Sequence, residues 1–352
     1  MNRTFVPLDN MVSWASRLSK TTRRRLGTTA SPIKDRLKDL WGQLDLIEPG
    51  AWGGGFKKFG LRYCDQHDGL YGPVSDGTSN LKELQARLSF VTHVVSYKTT
   101  HGALPPKRRI VTYLGKDDLN APAGFAKELA TATKKGGTSL VEVQLAAAAS
   151  MKRKAVIDLV VENAKPSPDG NTGGKVIVFT GRKRDCDALG VACRKALGEG
   201  VQVWSAHGGS SITARDAIRE AYMAHPGPCV LIGTGDAWGE GQNLQDTDLL
   251  LIGMLPYTPG QIRQWEGRVS RHGQLRPVLI QYLVAEGTKD EHVASILINK
   301  MPAVEKIVGD EEIAGLGEGL AGNDDEQAII DSILGKVLGV SSAGDEIDPE
   351  AQ

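Results

Sequence analysis

Gln264, Arg268 and Arg271 follow one another at i, i+4 and i+7 within residues 260–274. Read as a helix over residues 260–271, this stretch carries them on one face, with Ile262, Trp265 and Val269 at helical spacing on the opposite face. The apolar stripe suits packing on a sheet. The polar stripe projects a carboxamide and two guanidiniums together. Paired guanidiniums suit phosphate oxygens, because each offers forked donors and keeps its charge when desolvated. A solvated charged face is the competing reading of the stripe taken alone.

The elements around this stretch alternate. Short apolar runs at 176–179, 201–204, 229–233, 249–254 and 278–283 read as strands. Helical patterns at 185–197, 213–224, 260–271 and 290–299 lie between or after most of them. This order predicts an α/β fold: a mostly parallel sheet with helices on both faces, preceded by a mainly helical region. Ligands of such sheets collect at the carboxyl ends of the strands. Three loops there are rich in glycine and polar donors: Thr180-Gly181-Arg182-Lys183, Ala206-His207-Gly208-Gly209, and Thr234 to Leu244, TGDAWGEGQNL. Glycines let backbone N–H groups approach phosphates closely, and each loop alone also fits an ordinary turn. His207 has no clustered His, Cys or carboxylate at ligand spacing, so no metal is expected. Its plain reading is a turn residue. Asp290-Glu291-His292 reads as the solvated start of a helix.

Gln264-x-x-Gly267-Arg268-x-x-Arg271-x-Gly273-Gln274 resembles the last motif of superfamily two helicases, in the form used by Swi/Snf-type ATPases. In that family the two arginines reach across a cleft to the γ-phosphate of ATP, and Arg268 and Arg271 are the matching positions. The three loops, in their order, resemble the second RecA-like lobe of the same family. The third is similar to the family's Ala-Gly-Gly-x-Gly-Leu-Asn-Leu, with Trp238 in place of a glycine and Gln242 in place of a leucine, departures that bear on local loop geometry. The resemblance implies that Gly239, Glu240, Gly241 and Asn243 couple DNA contact to the nucleotide cleft, with Gln264 helping to orient the nucleotide. It places Thr180, Gly181, Arg182, His207, Gly208, Gly209 and Thr234 near the DNA backbone.

Upstream, Phe56 to Asp65, FKKFGLRYCD, and Ser79 to Leu88, SNLKELQARL, resemble the helical insertion of the annealing-helicase branch. LPPKRRIV at 104–111 resembles its return to the main body. Tyr63 and Cys64 read as packing groups. Residues 118–164 read as one or two helices, and 165–174, KPSPDGNTGG, as a loop. Gly27, Thr28, Thr29 and Pro32 occupy the region similar to the end of a first RecA-like lobe. The expected organisation is therefore 1–47, the end of a first lobe; 48–165, a mainly helical insertion and linker; 175–300, the second lobe; and 301–352, an acidic tail.

A hydrophobic content of 40% supports a substantial core. No apolar run approaches the ~20 residues of a membrane span, and the N-terminus shows no signal-peptide pattern, so no membrane partner and a cytoplasmic setting (nucleoid-associated in a bacterium or phage) are expected. The four cysteines form no Cys-x-x-Cys pair and read as buried reduced thiols. The zero net charge hides an asymmetry. From residue 301 on there are thirteen Asp/Glu against two Lys, a net of −11, while the preceding body carries 40 Lys+Arg against 29 Asp/Glu. A basic body fits a polyanion partner. The tail fits simple solubility, competition for the basic surface or partner docking.

The Gly-x-x-x-x-Gly-Lys-Ser/Thr loop that cradles nucleotide phosphates is absent from the sequence, as is an Asp-Glu-x-His strand end. Asp9-Asn10-Met11-Val12 stands where such a strand end is expected, as a degenerate remnant at most. The expectation is a C-terminal part or subunit of an ATP-dependent DNA helicase or translocase. ATP with Mg2+ would be gripped mainly by a separate N-terminal lobe, DNA would be bound largely without sequence preference, and the isolated chain would be inactive. The alternative is a non-catalytic, helicase-derived DNA-binding or scaffold protein.

Overall fold

The computed structural model describes residues 19–29, 32–70, 72–93, 104–115, 117–119, 138–166, 172–239 and 242–297. They fall in two compact units, one within Met1–Ser96 together with Thr258–Gly260, the other within Tyr97–Tyr257 and Gln261–Asn299. Among the described residues, the first unit holds residues 19–21 of a helix, three short helices, α1 (Asp39–Ile47), α2 (Phe56–Tyr63) and α3 (Leu81–Leu88), and a small antiparallel pair, β1 (His67–Gly69) and β2 (Gly72–Val74). Leu40, Leu44, Trp52, Phe59, Tyr63, Leu84 and Leu88 form its buried interior. Cys64 is fully buried beside Tyr63, so both are packing groups.

The second unit is built on six parallel strands in the order β3-β8-β7-β4-β6-β5. These are β3 (Lys107–Leu114), β4 (Lys175–Thr180), β5 (Gln202–Ala206), β6 (Cys229–Thr234), β7 (Leu249–Ile252) and β8 (Val278–Ala285). Its helices are α4 (Thr138–Met151), α5 (Arg153–Ala164), α6 (Lys183–Leu197), α7 (Ile212–Ala224), the single turn α8 (Gly235–Trp238), α9 (Pro259–Val269) and α10 (residues 289–297). Every residue of β4, β6 and β7 is buried, as expected of central parallel strands covered on both faces. Val176, Val178, Val230, Ile232 and Leu251 pack on one side with Val156 and Val160 of α5 and Cys186, Leu189 and Cys193 of α6. Phe179 meets Trp265 of α9 across the sheet's other face, with ring centroids 5.7 Å apart. No helix among the described residues is long and apolar enough to cross a membrane. Burial pushes the Cys186 and Cys229 thiols up to about 12, which makes them inert.

Three features depart from the sequence reading. Lys107–Leu114, where the sequence reading placed the return of a helical insertion to the main body without naming a strand, is a strand paired along its whole length with β8, from Lys107↔Val278 to Leu114↔Ala285. An edge strand is half-exposed and opens here on three cations, so it lacks the apolar run of a central strand. Helix α9 stops at Val269, before Arg271. There the Arg268 carbonyl accepts the N–H of Leu244 at 3.0 Å, and the chain turns through Gly273 at φ +94°. Asp290 is not a solvated helix start: it is 1% exposed and paired with the fully buried Lys152, whose ammonium also donates to the Leu283 carbonyl at 2.9 Å. A buried ammonium requires a counter-charge, and Asp290 supplies it where α5 begins.

Helix α9 is fastened to the sheet by a second buried carboxylate. Glu266, 1% exposed, takes two bonds from the Arg109 guanidinium of β3, Nε to Oε1 at 2.8 Å and Nη2 to Oε2 at 2.6 Å. The Tyr282 hydroxyl of β8 donates to Oε1, and the Lys107 ammonium stands 3.6 Å from Oε2. Burial alone would raise this carboxyl, but the bonds and charge of Arg109, with Lys107 and Tyr282, outweigh it and hold the group below its usual range.

Two stability predictions arise from these pairs. Lys152→Met leaves the Asp290 carboxylate buried without its partner and lowers the unfolding free energy by about 3–5 kcal/mol; in urea titrations, adding Asp290→Leu restores part of that loss. The depressed Glu266 pKa makes its stabilisation complete above the ordinary glutamate value of about 4.3 and lost as pH falls through the native value. Glu266→Gln is therefore less stable near neutrality, and its denaturation midpoint varies less with pH over the acid range below about pH 4.

Candidate functional site

The carboxyl ends of β4, β6 and β5 are neighbours in the sheet, so their three following loops lie side by side. After β4, the Thr180 hydroxyl is buried 3.4 Å from the carbonyls of Gly233 and Arg182. A Cβ on Gly181 would take the place of the Met254 thioether, which packs against the glycine there. Arg182 caps α6 with extended backbone, and its Nε donates to Asp185 Oδ2 at 3.2 Å. After β5, His207 Nδ1 accepts the Gly209 N–H at 3.0 Å, while Nε2 stands 3.4 Å from Asp187 Oδ2. Lys183 lies close by: a Cβ on Gly209 would be 3.5 Å from its ammonium. A Cβ on Gly208 would meet nothing within 4 Å. Arg182, Lys183 and His207 thus place basic groups along the ends of two strands.

The loop after β6 is held from three sides. Thr234 is buried and leads into α8. Trp238 is fully buried; its indole N–H donates to the Ala206 carbonyl at 2.9 Å, and its ring occupies the space where a Gly233 side chain would be. Its place in the loop is therefore a packing role that joins β5 to β6. The Trp265 indole of α9 fills the corresponding space over Gly235 and Gly239. Arg268 completes the clasp, with Nε donating to the Gly239 carbonyl at 2.8 Å and Nη1 to the Gln242 carbonyl at 3.4 Å. From α7, Arg215 donates to the Ala237 carbonyl at 2.7 Å and Asp216 accepts from the Gln242 carboxamide at 3.2 Å.

The structure therefore joins Arg268 to Gly239 and Gln242, but it does not set Arg268 and Arg271 on one helical face. Arg271 lies beyond the helix end, exposed, and its side chain has no partner among the described residues. Gln264 is half-buried on α9 and Asn243 is exposed beside the clasped loop. Glu240 and Gly241 lie outside the described residues, as does the acidic stretch 301–352. Gln274, the last residue of the motif, is 4% exposed; its amide donates to the carbonyls of Thr247 (3.0 Å) and Arg276 (2.7 Å) and its oxygen accepts from the Asp246 N–H. It ties the motif to the β6–β7 connection. Sequence reasoning missed Arg109, Glu266, Tyr282, Arg215 and Asp216, whose partners are distant in the chain. The one available signal was Glu266, an acidic residue flanked by Trp265 on the packing face. Among the described residues, no group of three His, Cys, Asp or Glu is arranged to hold a metal ion.

Residues 151–273 match the family described as the helicase conserved C-terminal domain. Over 313 residues the chain is 27% identical to the SWI/SNF-related matrix-associated actin-dependent regulator of chromatin subfamily A-like protein 1 of Xenopus tropicalis, covering 86% of this chain and 31% of that protein. It is 27% identical over 297 residues to the human DNA annealing helicase and endonuclease ZRANB3, covering 79% of this chain and 26% of the other. The chain thus spans about a third or less of the length of these relatives. A solved structure of the C-terminal part of the Fun30 ATPase domain aligns over 66% of this chain and 99% of its own, at 14% identity and a TM-score of 0.41. The parallel sheet covered by helices thus carries a match to the helicase conserved C-terminal domain, and the chain is similar over most of its length to a part of a SWI/SNF-related protein and of a DNA annealing helicase.

Proposed function

We propose that this chain is the C-terminal part of an ATP-dependent DNA helicase or translocase, whose nucleotide site is completed by an N-terminal lobe. The observation that carries this reading is the clasp of Arg268 on the loop after β6. It connects a guanidinium, a group suited to phosphate, to a loop that borders the strand-end basic groups. Charge-assisted bonds to phosphate are stronger than bonds to neutral carbonyls. A triphosphate presented by the other lobe would therefore draw Arg268 away from Gly239 and Gln242 and release their loop. In this reading Arg271, already exposed, meets the same phosphate, and Gln264 and Asn243 flank it. The chain's residues fit only the phosphate end of ATP with Mg2+: they offer guanidiniums and amide donors, whereas the sequence contains no lysine-bearing phosphate loop. Bound there, the nucleotide would supply the free energy of its hydrolysis. This chain's part is to neutralise charge on the transferring phosphoryl group.

On the nucleic-acid side, Arg182 and His207, with the glycine turns after β4 and β5, contact the DNA backbone. Such contacts carry little sequence information and weaken with salt. The basic groups at the strand ends also suit a second reading, a DNA-binding protein derived from a helicase and without turnover of its own. A cytoplasmic or nucleoid setting is compatible with both.

DNA-stimulated ATP hydrolysis separates them. The purified chain is expected to show no turnover, and neither is its Arg268→Ala variant. Mixed with a complementary first lobe, the wild type turns over ATP and Arg268→Ala lowers the rate about a thousandfold or more. Turnover by the chain alone would overturn the two-lobe reading; DNA binding without turnover in any mixture would favour the second.

A further inference from the structure

The helical first unit contains a cavity of about 500 Å3 that no part of the function above uses. Its wall carries Lys58, Arg62 and Arg87, with Trp52, Leu61 and Asn80 between them, and no carboxylate. The volume lies in the range of small-ligand sites.

The cations are pre-arranged. Arg87 lies over the Trp52 ring at 4.3 Å and donates from Nη1 to the Tyr63 hydroxyl at 2.9 Å and from Nη2 to the Ala51 carbonyl at 3.0 Å. Arg62 is held by both oxygens of Glu83, at 2.9 and 2.6 Å, just outside the cavity wall. Each guanidinium has five N–H donors, so each retains donors beyond these bonds. Gly53, at φ +104°, brings its backbone against the Lys58 stem; an added Cβ would stand 2.9 Å from Lys58 Cβ. The Lys58 ammonium itself is exposed and has no partner among the described residues. Beside it Leu61 is 56% exposed, a large apolar group left uncovered at the cavity wall.

Cations alone would indicate only an anion. Cations joined to an apolar wall and a guanidinium–indole stack fit a phosphate carried by a flat aromatic ring. Bases stack on guanidinium planes and apolar side chains while the phosphate takes the charged donors. We infer that this cavity binds a nucleotide unit, phosphate and base together, and that it is a nucleic-acid contact separate from the strand-end loops of the helicase lobe.

The test is fluorescence anisotropy of the full chain with a labelled single-stranded oligonucleotide, with AMP as competitor. Lys58→Glu and Leu61→Asp each weaken oligonucleotide binding about tenfold, while Lys154→Glu, an exposed change on α5, leaves it unchanged. Both cavity residues are exposed, so their substitution does not remove core. Displacement of the oligonucleotide by AMP from the wild type shows that the cavity takes a nucleotide as such. Retention against AMP, with affinity lost in both variants, shows that it takes a nucleotide within a strand. Either result supports the inference. Unchanged oligonucleotide and AMP binding in both variants overturns it. Arg182→Ala run in parallel keeps the two readings apart: loss there with none at Lys58 removes the cavity and retains the strand-end site, and the converse does the opposite.

Discussion

The second unit depends on one buried carboxylate. Glu266 sits in α9 two residues before Arg268, and its bonds to Arg109 and Tyr282 tie the helix to β3 and β8 at one end of the sheet's order. A carboxylate out of water is costly unless its oxygens are matched, and a bidentate guanidinium with a hydroxyl matches them with little angular freedom. The rotation and height of α9 are thereby set. Those in turn determine where Trp265 and Arg268 stand relative to the loop after β6.

That loop is shaped by aromatic volume more than by its own backbone preferences. Trp238 occupies the space over Gly233, and Trp265 the space over Gly235 and Gly239. Larger residues at those glycines would meet rings that cannot move without opening a densely packed interior. Trp238 is accommodated because it turns inward and bonds to the end of β5. The loop is thus tied to α7, α9 and β5 at once, so a change at any one of these reaches the others through direct contact. Arg268 is the charged member of this set, bonded to two carbonyls of the loop.

The same electrostatic economy recurs elsewhere in the lobe. Lys152 and Asp290 neutralise each other where α5 and α10 meet β8. Lys175 bonds Asp246 at 2.8 Å as well as the Tyr222 carbonyl at 3.1 Å, at the amino end of β4. Each pair joins elements far apart in sequence, and each buried ion has more than one partner. The strand ends carrying the candidate site are different: Arg182, Lys183 and His207 remain accessible there.

The sequence by itself determined the architecture of the lobe and the character of its motif. Runs such as VIVF at 176–179 and CVLIG at 229–233 have no polar face, so they become strands covered on both sides. The spacing of Ile262, Trp265 and Val269 marks a buried helical face, and all three are buried. Periodicity is local: it reports that a face is covered, but not by what. Only tertiary structure decided that Lys107–Leu114 joins the sheet beside β8, that Glu266 pairs with a residue 157 positions away, and that Lys152 and Asp290 share one buried site. It also ended α9 before Arg271, because a loop N–H took the Arg268 carbonyl. Such contacts arise between segments whose local sequences are independent of each other, and they exist only once the sheet has brought those segments together.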